Sequence, residues 1–182
     1  ILGTQEGRMD QLKDLEGLLV DLKMEDKNRN WILERMYPTI FYNPKTVSII
    51  DSGDIWLSKT PTIEGSIDFN STFPRLFTWI KAEISGTKFF MANIHLDHGT
   101  SATRISQAQV LVEETKRLNK EELPIIIMGD FNDEDVDAQD NWWGLGDPAD
   151  TIFDDRREPG IGRVNYEPYR KEPVHPVLWE VP

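Results

Sequence analysis

The chain has 182 residues, 38% hydrophobic and 29% charged, with a formal net charge of −12. That length suits a single domain with its own core, and no apolar run approaches the roughly 20 residues of a membrane-spanning helix. The absence of cysteine excludes disulfides, thiolate metal sites and a cysteine nucleophile, and the acidic balance, with basic pairs such as Arg156-Arg157 and Arg170-Lys171 but no basic face, disfavours tight non-specific binding to long nucleic acid.

In chain order, Ile1-Leu2-Gly3-Thr4 reads as the inside of a buried strand without an initiator Met or signal-peptide pattern, and predicts a fragment or a processed product. Met9, Leu12, Leu15, Leu19 and Leu22 recur at helical spacing, so residues 8–22 are predicted as an amphipathic helix. Residues 39–42 and 46–50 read as strands about a turn at Asn43-Pro44, and Ile55-Trp56-Leu57 as a separate short one. Residues 76–84 alternate polar and apolar, and residues 88–94 follow a turn at Ser85-Gly86-Thr87, which predicts a hairpin. Ile105, Ala108, Leu111, Val112 and Leu118 keep helical spacing behind a cap at Thr100 or Ser101. The continuous apolar run 124–128 fits a strand covered on both faces.

Residues 133–172 are rich in Asp, Gly and Pro and predict mostly loop. Asp133-x-Asp135-x-Asp137 imitates the opening of a calcium loop, but Ala138 stands at the Gly position and Gly144 at the final Glu position, which excludes it. Phe73, Phe77 and Trp79 are assigned to the core and Trp142-Trp143 to packing. Strands outnumber the interspersed helices, which favours a layered α/β domain with sheets inside helices.

Four segments place polar groups directly after an apolar strand, where a rigid scaffold presents reactive groups. Ile1–Gly7 ends in Gln5-Glu6, and a strand-end carboxylate binds a hard cation, although Glu6 alone is equally a helix-start acid. Met91–His98 contains Asn93, His95 and Asp97 on one face by strand period, followed by His98, a set suited to acid/base work or metal binding. In Gly129-Asp130-Phe131-Asn132 the glycine permits a tight exit from the strand, and Asp130 and Asn132 offer a metal ligand and an amide donor on the same side. The terminal strand from Val174 carries His175, which by itself reads as structural.

Gln-Glu at a first strand end, then His-Leu-Asp-His, then Gly-Asp-Phe-Asn, in that order, resembles the DNase I-like endonuclease/exonuclease/phosphatase superfamily. The likeness extends to a branch of uncharacterised metal-dependent hydrolases through Gly53–Pro61 and Phe73–Trp79, and it spans essentially the whole chain. The resemblance implies one domain over residues 1–182, lacking its first β-strand, built as a four-layer α/β sandwich of two mostly antiparallel sheets between helices. It implies hydrolysis of a phosphodiester or phosphomonoester with Mg²⁺ or Mn²⁺, hard ions that suit oxygen ligands. Glu6 and Asp130 are then the metal carboxylates, Arg75 and Asn93 the phosphate-binding groups, and His95, Asp130, Asn132 and His175 the catalytic set. A small or lipid-like phosphoester suits the acidic chain better than long DNA.

The chain also departs from the family pattern. It starts after the family's first-strand Asn; Met36 stands where a Glu is usual, Asn165 replaces an Asp in Arg163-Val164-Asn165-Tyr166, and Val174 replaces the Asp of Ser-Asp-His. A catalytic histidine paired with a carboxylate is fixed in one tautomer, and His175 lacks that neighbour unless Glu172 supplies it. The alternative expectation is therefore a pseudoenzyme or binding module that keeps the fold.

Overall fold

The computed structural model describes residues 1–132 and two short strands beyond them. The chain divides into two compact units, residues 1–132 and 133–182. Of the second unit only a parallel pair of three-residue strands is described, Asp135–Asp137 with Arg163–Asn165. The expectations for Trp142-Trp143, the Asn165 side chain, Val174 and His175 lie outside the described residues.

The first unit runs β1 (Leu2–Gly7), α1 (Met9–Leu18), β2 (Lys23–Met24), β3 (Tyr37–Tyr42), β4 (Ser48–Trp56), β5 (Leu76–Ile84), β6 (Thr87–His95), α2 (Ser101–Leu118) and β7 (Ile125–Asp130). One sheet has the order β1-β3-β2 and the other β4-β5-β6-β7. All pairs are antiparallel except β6 with β7. The two sheets pack face to face, and the side chains show why. Ile40 and Val47 from the β3 side meet Ile80, Ala82, Phe89 and Met91 from β5 and β6. The alternate face of β5 and β6, with Phe77, Trp79, Phe90, Ala92 and Ile94, packs on Leu111 of α2. Leu12 of α1 packs with Tyr37 and Phe41 of β3. The layers are helix, sheet, sheet, helix: a DNase I-like α/β sandwich, as its strand period of two requires of residues buried on both faces.

Several local expectations are corrected. The first helix stops at Leu18, yet Leu19 and Leu22 still pack against the same cluster as Leu12. The two strands expected over 46–50 and 55–57 are one continuous strand, β4 from Ser48 to Trp56, in which Gly53 pairs with Trp79 and lies beneath its indole, where an added Cβ would meet Nε1 at 3.1 Å. The hairpin forms with Ser85 at φ 50° and Gly86 at φ 83°, the paired left-handed residues a tight two-residue turn requires. α2 forms behind Thr100, whose hydroxyl accepts from the Thr103 amide at 3.2 Å, but it buries Thr103, Gln107, Leu111 and Thr115 and leaves Ile105 and Val112 exposed. β1 forms, but Ile1 and Leu2 are exposed. β7 pairs with β6 alone among the described residues, and Ile125, Ile126 and Ile127 are exposed rather than covered on both faces. Phe77 and Trp79 are core; Phe73 is not, and stands 44% exposed. No helix of the described residues is long and apolar enough to cross a membrane.

A buried polar clamp also joins the layers. The Arg29 guanidinium lies against the rings of Trp31 and Tyr37, which touch each other edge-on, and bonds Asp54 of β4 at 2.7 Å, Thr78 of β5 at 2.7 Å and Thr39 of β3 at 3.0 Å.

Candidate active site

The inner face of β6 changes character along its length. Phe89 and Met91 are core, and Asn93 and His95 follow on the same side towards the strand end. Asn93 is fully buried and its amide is spent inside the protein. Its Oδ1 accepts from Gln5 Nε2 at 2.8 Å, and its Nδ2 donates to the carbonyls of Thr4 and Thr39, both at 2.9 Å. Both amide hydrogens are taken, so the expectation that Asn93 binds a phosphate is corrected: it joins β6 to β1 and β3.

That junction fixes Glu6, the next residue after Gln5. β1 bulges between Thr4 and Gly7, and Glu6 takes φ 60°, a left-handed backbone rarely adopted by glutamate. The bulge turns its carboxylate over the end of β6, with Oε1 3.8 Å from His95 Nε2. From the other side, Asp130 is the register partner of His95 on β7, and its Oδ2 lies 3.7 Å from the same nitrogen. Gly129 makes this possible. At φ 139° it approaches β6 so closely that a Cβ would lie 2.0 Å from the Ile94 carbonyl. Asn132, at φ 51°, donates its backbone N–H to Asp130 Oδ1 at 2.9 Å and its amide to the Leu96 carbonyl at 2.8 Å, which leaves Asp130 Oδ2 towards His95.

Arg75, immediately before β5, completes the group. It is 6% exposed, and its Nη1 lies 3.0 Å from His95 Nδ1 and 3.1 Å from Nε2. One nitrogen accepts while the other keeps the ring proton, because guanidinium only donates. The carboxylates gathered at Nε2 assign the proton there and the accepting lone pair to Nδ1. Among the described residues no carboxylate forms an ion pair with Arg75, and its buried Nε has no hydrogen-bond partner. Burial and the Arg75 cation push the His95 imidazole below its ordinary value, against the opposing pull of Asp130 and Glu6. His95 is therefore neutral near pH 7, and its contacts with the two carboxylates are polar contacts rather than ion pairs. Burial likewise lowers Arg75, with Asp97, Glu6 and Asp130 opposing.

Asp97, read from sequence as an acid/base or metal candidate, is a loop clamp. Its carboxylate accepts from Ser71 Oγ, the Thr72 N–H and the Gly99 N–H, each at 2.8 Å. Burial raises its carboxyl, but these bonds and nearby Arg75 outweigh that and hold it below the ordinary carboxylate range. Met36 has no substituting carboxylate two residues earlier: Glu34 pairs with Arg8 at 3.9 Å instead. Sequence reading missed the role of Gln5 and the bracing function of Asn93. The signal was available in a polar residue at an inward strand position between Met91 and His95.

Among the described residues no three His, Asp or Glu side chains form a ligand cage. Two carboxylates, Glu6 and Asp130, converge on one imidazole nitrogen. That set fits a Mg²⁺-like ion, which is held by one or two carboxylates plus water and substrate phosphate, and does not fit a soft-metal cage.

Strand-end carboxylates, a neutral imidazole and a buried arginine on a helix–sheet–sheet–helix sandwich define a protein of the DNase I-like class. Comparisons with solved structures agree. The chain is 32% identical to a Bacteroides thetaiotaomicron mannosyl-6-phosphatase, with TM-score 0.65 over 71% of this chain and 50% of that one. It is 32% identical to an endonuclease/exonuclease/phosphatase family protein of the same organism, with TM-score 0.64 over 71% of this chain and 48% of that one. The human Nocturnin catalytic domain, 21% identical with TM-score 0.54 over 73% of this chain and 51% of that one, shares the fold. The chain belongs to the endonuclease/exonuclease/phosphatase superfamily, and it spans about half the length of these solved relatives. No protein-family profile matches it, and no curated protein does.

Proposed function

We propose that this chain hydrolyses a phosphoester with the help of Mg²⁺ or Mn²⁺. The observation that carries this reading is a buried Arg75 with no carboxylate ion pair among the described residues, beside a neutral His95 on which Glu6 and Asp130 converge. A buried cation is costly unless it is paired, and phosphoryl oxygens would give Arg75 the direct anionic partner that no described residue provides. Arg75 receives phosphoryl oxygens through its planar donors. Glu6 and Asp130 would hold the cation, which when bound polarises the phosphoryl group and offsets the charge developing on its oxygens. Asp130, fixed by Asn132, orients the attacking water. His95, as the Nε2–H tautomer, donates a hydrogen bond to an oxygen of the reacting group rather than a proton. His175 stays in this reading as the acid/base group, on the strength of its sequence position alone. The relative named a mannosyl-6-phosphatase makes a sugar monophosphate one candidate ester.

The test is calorimetric titration with Mn²⁺ together with assays on a generic phosphomonoester and a generic phosphodiester. Wild type binds the ion and turns over one ester class. Asp130→Ala keeps its circular dichroism spectrum and loses turnover by about 10³-fold or more. Full activity in Asp130→Ala overturns the mechanism. Met36, in place of the family's usual Glu, favours a second reading, a binding module on the same fold. That reading gains if wild type neither binds Mn²⁺ nor hydrolyses either ester.

A further inference from the structure

Arg75 also anchors an open frame that the hydrolytic steps leave unused. Its Nη2 lies 3.3 Å from His98 Nδ1, and its Cζ lies 5.9 Å from the centre of the Phe73 ring. The Phe73 and His98 rings are 5.9 Å apart and inclined by 33°. Both are exposed. Because guanidinium only donates, His98 Nδ1 accepts and the ring proton sits on Nε2, the nitrogen not engaged by Arg75.

The frame is held in place. Phe73 and His98 come from two loops, which the buried Asp97 carboxylate ties together through Ser71 and Thr72 on one side and Gly99 on the other. Gln107 of α2 reinforces the tie, accepting from the Asp97 N–H at 2.8 Å and donating to Ser71 Oγ at 3.1 Å. A single exposed phenyl ring needs no explanation. A phenyl ring fixed beside a buried cation and against a second ring is preorganised recognition surface.

We propose that Phe73 and His98 form the face that receives the alcohol of the ester, and that this alcohol is a compact ring-shaped polyol, making the substrate a monosaccharide monophosphate. The inference rests on the reading of Arg75 as the phosphate site. With phosphoryl oxygens on Arg75, the C–H face of the sugar ring lies on Phe73 and a hydroxyl accepts from His98 Nε2–H. Among the described residues the contacts of Phe73 are polar, with Ser71 bonded to its carbonyl and Arg75 and His98 beside its ring, a surround better suited to a polyol than to an acyl chain. A net charge of −12 disfavours a partner with many successive phosphates. A monoester also brings more negative charge than a diester to a buried cation that has no ion pair among the described residues.

The experiment is calorimetric titration of the whole chain, in a buffer containing Ca²⁺, with glucose 6-phosphate, ring-less glycerol 3-phosphate and inorganic phosphate. Wild type binds glucose 6-phosphate roughly fivefold more tightly than glycerol 3-phosphate, the scale of one aromatic contact. Phe73→Ala and His98→Gln abolish that preference and leave inorganic phosphate affinity within about twofold, whereas Phe73→Tyr retains the preference. Equal affinity for the two esters in wild type, or a preference that survives both variants, overturns the inference while the phosphate site stands. Failure of wild type to bind inorganic phosphate overturns the Arg75 reading, and this inference with it.

Discussion

Replacing Asn93 by leucine removes three hydrogen bonds at the junction of the two sheets and leaves their partners in place. Asn93 is fully buried, and leucine is of similar size, so the effect is one of unsatisfied polar groups rather than of a large cavity. The Thr4 and Thr39 carbonyls each lose an amide donor, and Gln5 loses its acceptor. Two buried carbonyls stripped of a partner cost about 1–3 kcal/mol each, and part is returned because an antiparallel carbonyl has a second lone pair in use. The expected loss is about 3 kcal/mol, a large share of a domain's stability of about 5–15 kcal/mol. Gln5→Met removes only the part-exposed bond and costs about 1 kcal/mol or less. Urea unfolding followed by tryptophan fluorescence reads both, as a shift of midpoint at constant slope. Because Gln5 and Asn93 hold the strand end that presents Glu6, both variants also weaken Mn²⁺ binding, by roughly 10-fold or more. An Asn93→Leu protein within about 1 kcal/mol of wild type, or a Gln5→Met protein as unstable as Asn93→Leu, refutes the assignment of Asn93 as the inter-sheet brace.

Gly129→Ala forces a Cβ against the Ile94 carbonyl in a backbone conformation unsuited to alanine, and is expected to destabilise by about 2–4 kcal/mol in the same urea assay. Arg29→Ala strips Asp54 of its buried partner and empties the space beside Trp31 and Tyr37, for an expected loss of about 3–5 kcal/mol, read as a fall in melting temperature. Acid weakens the fold through two groups with depressed pKa values. The stability contributed by neutral His95 is complete above the ordinary imidazole pKa and falls as pH drops below about 6.5, because the unfolded chain takes up the proton first. The contribution of Asp97 is complete above the ordinary carboxylate pKa and is lost as pH falls through its depressed value. Melting temperatures between pH 8 and pH 3 should decline in both windows, and Asp97→Asn should flatten the lower one. For activity, neutral His95 sets an acid limb below the ordinary imidazole value, read as a fall in kcat/KM on acidification.

The parts of this protein that were legible in sequence are those where local chemistry and tertiary position agree. Gly129-Asp130-Phe131-Asn132 could be read because a strand exit of that closeness admits only glycine, and the hairpin because Ser85-Gly86 suits two left-handed residues. His95 stood out as a histidine at an apolar strand's end. The misreadings share a different origin, in tertiary contacts that overrule local pattern. Residues 46–50 and 55–57 read as separate strands, but the Trp79 indole fills the space of the missing Gly53 side chain and Arg29 pairs with Asp54, so the strand runs on. The α2 face was misjudged because Gln107 is buried for its bonds to Asp97 and Ser71, which no hydrophobic period reports. Phe73 was assigned to the core by its residue type, and Asn93 to the phosphate by its proximity to His95. In each case the deciding partner lies far away in sequence.

His95 and Asp130 end adjacent strands of one sheet and are paired in register, so their spacing is set by the ladder itself and is as stiff as main-chain hydrogen bonding can make it. Glu6 arrives from the opposite sheet. Any sliding or parting of the two layers therefore changes the grip of Glu6 while the imidazole–aspartate pair travels as a unit. The molecule separates a rigid half of its chemistry from an adjustable half, and on the proposed reading substitutions at the layer interface would tune cation affinity without touching the pair.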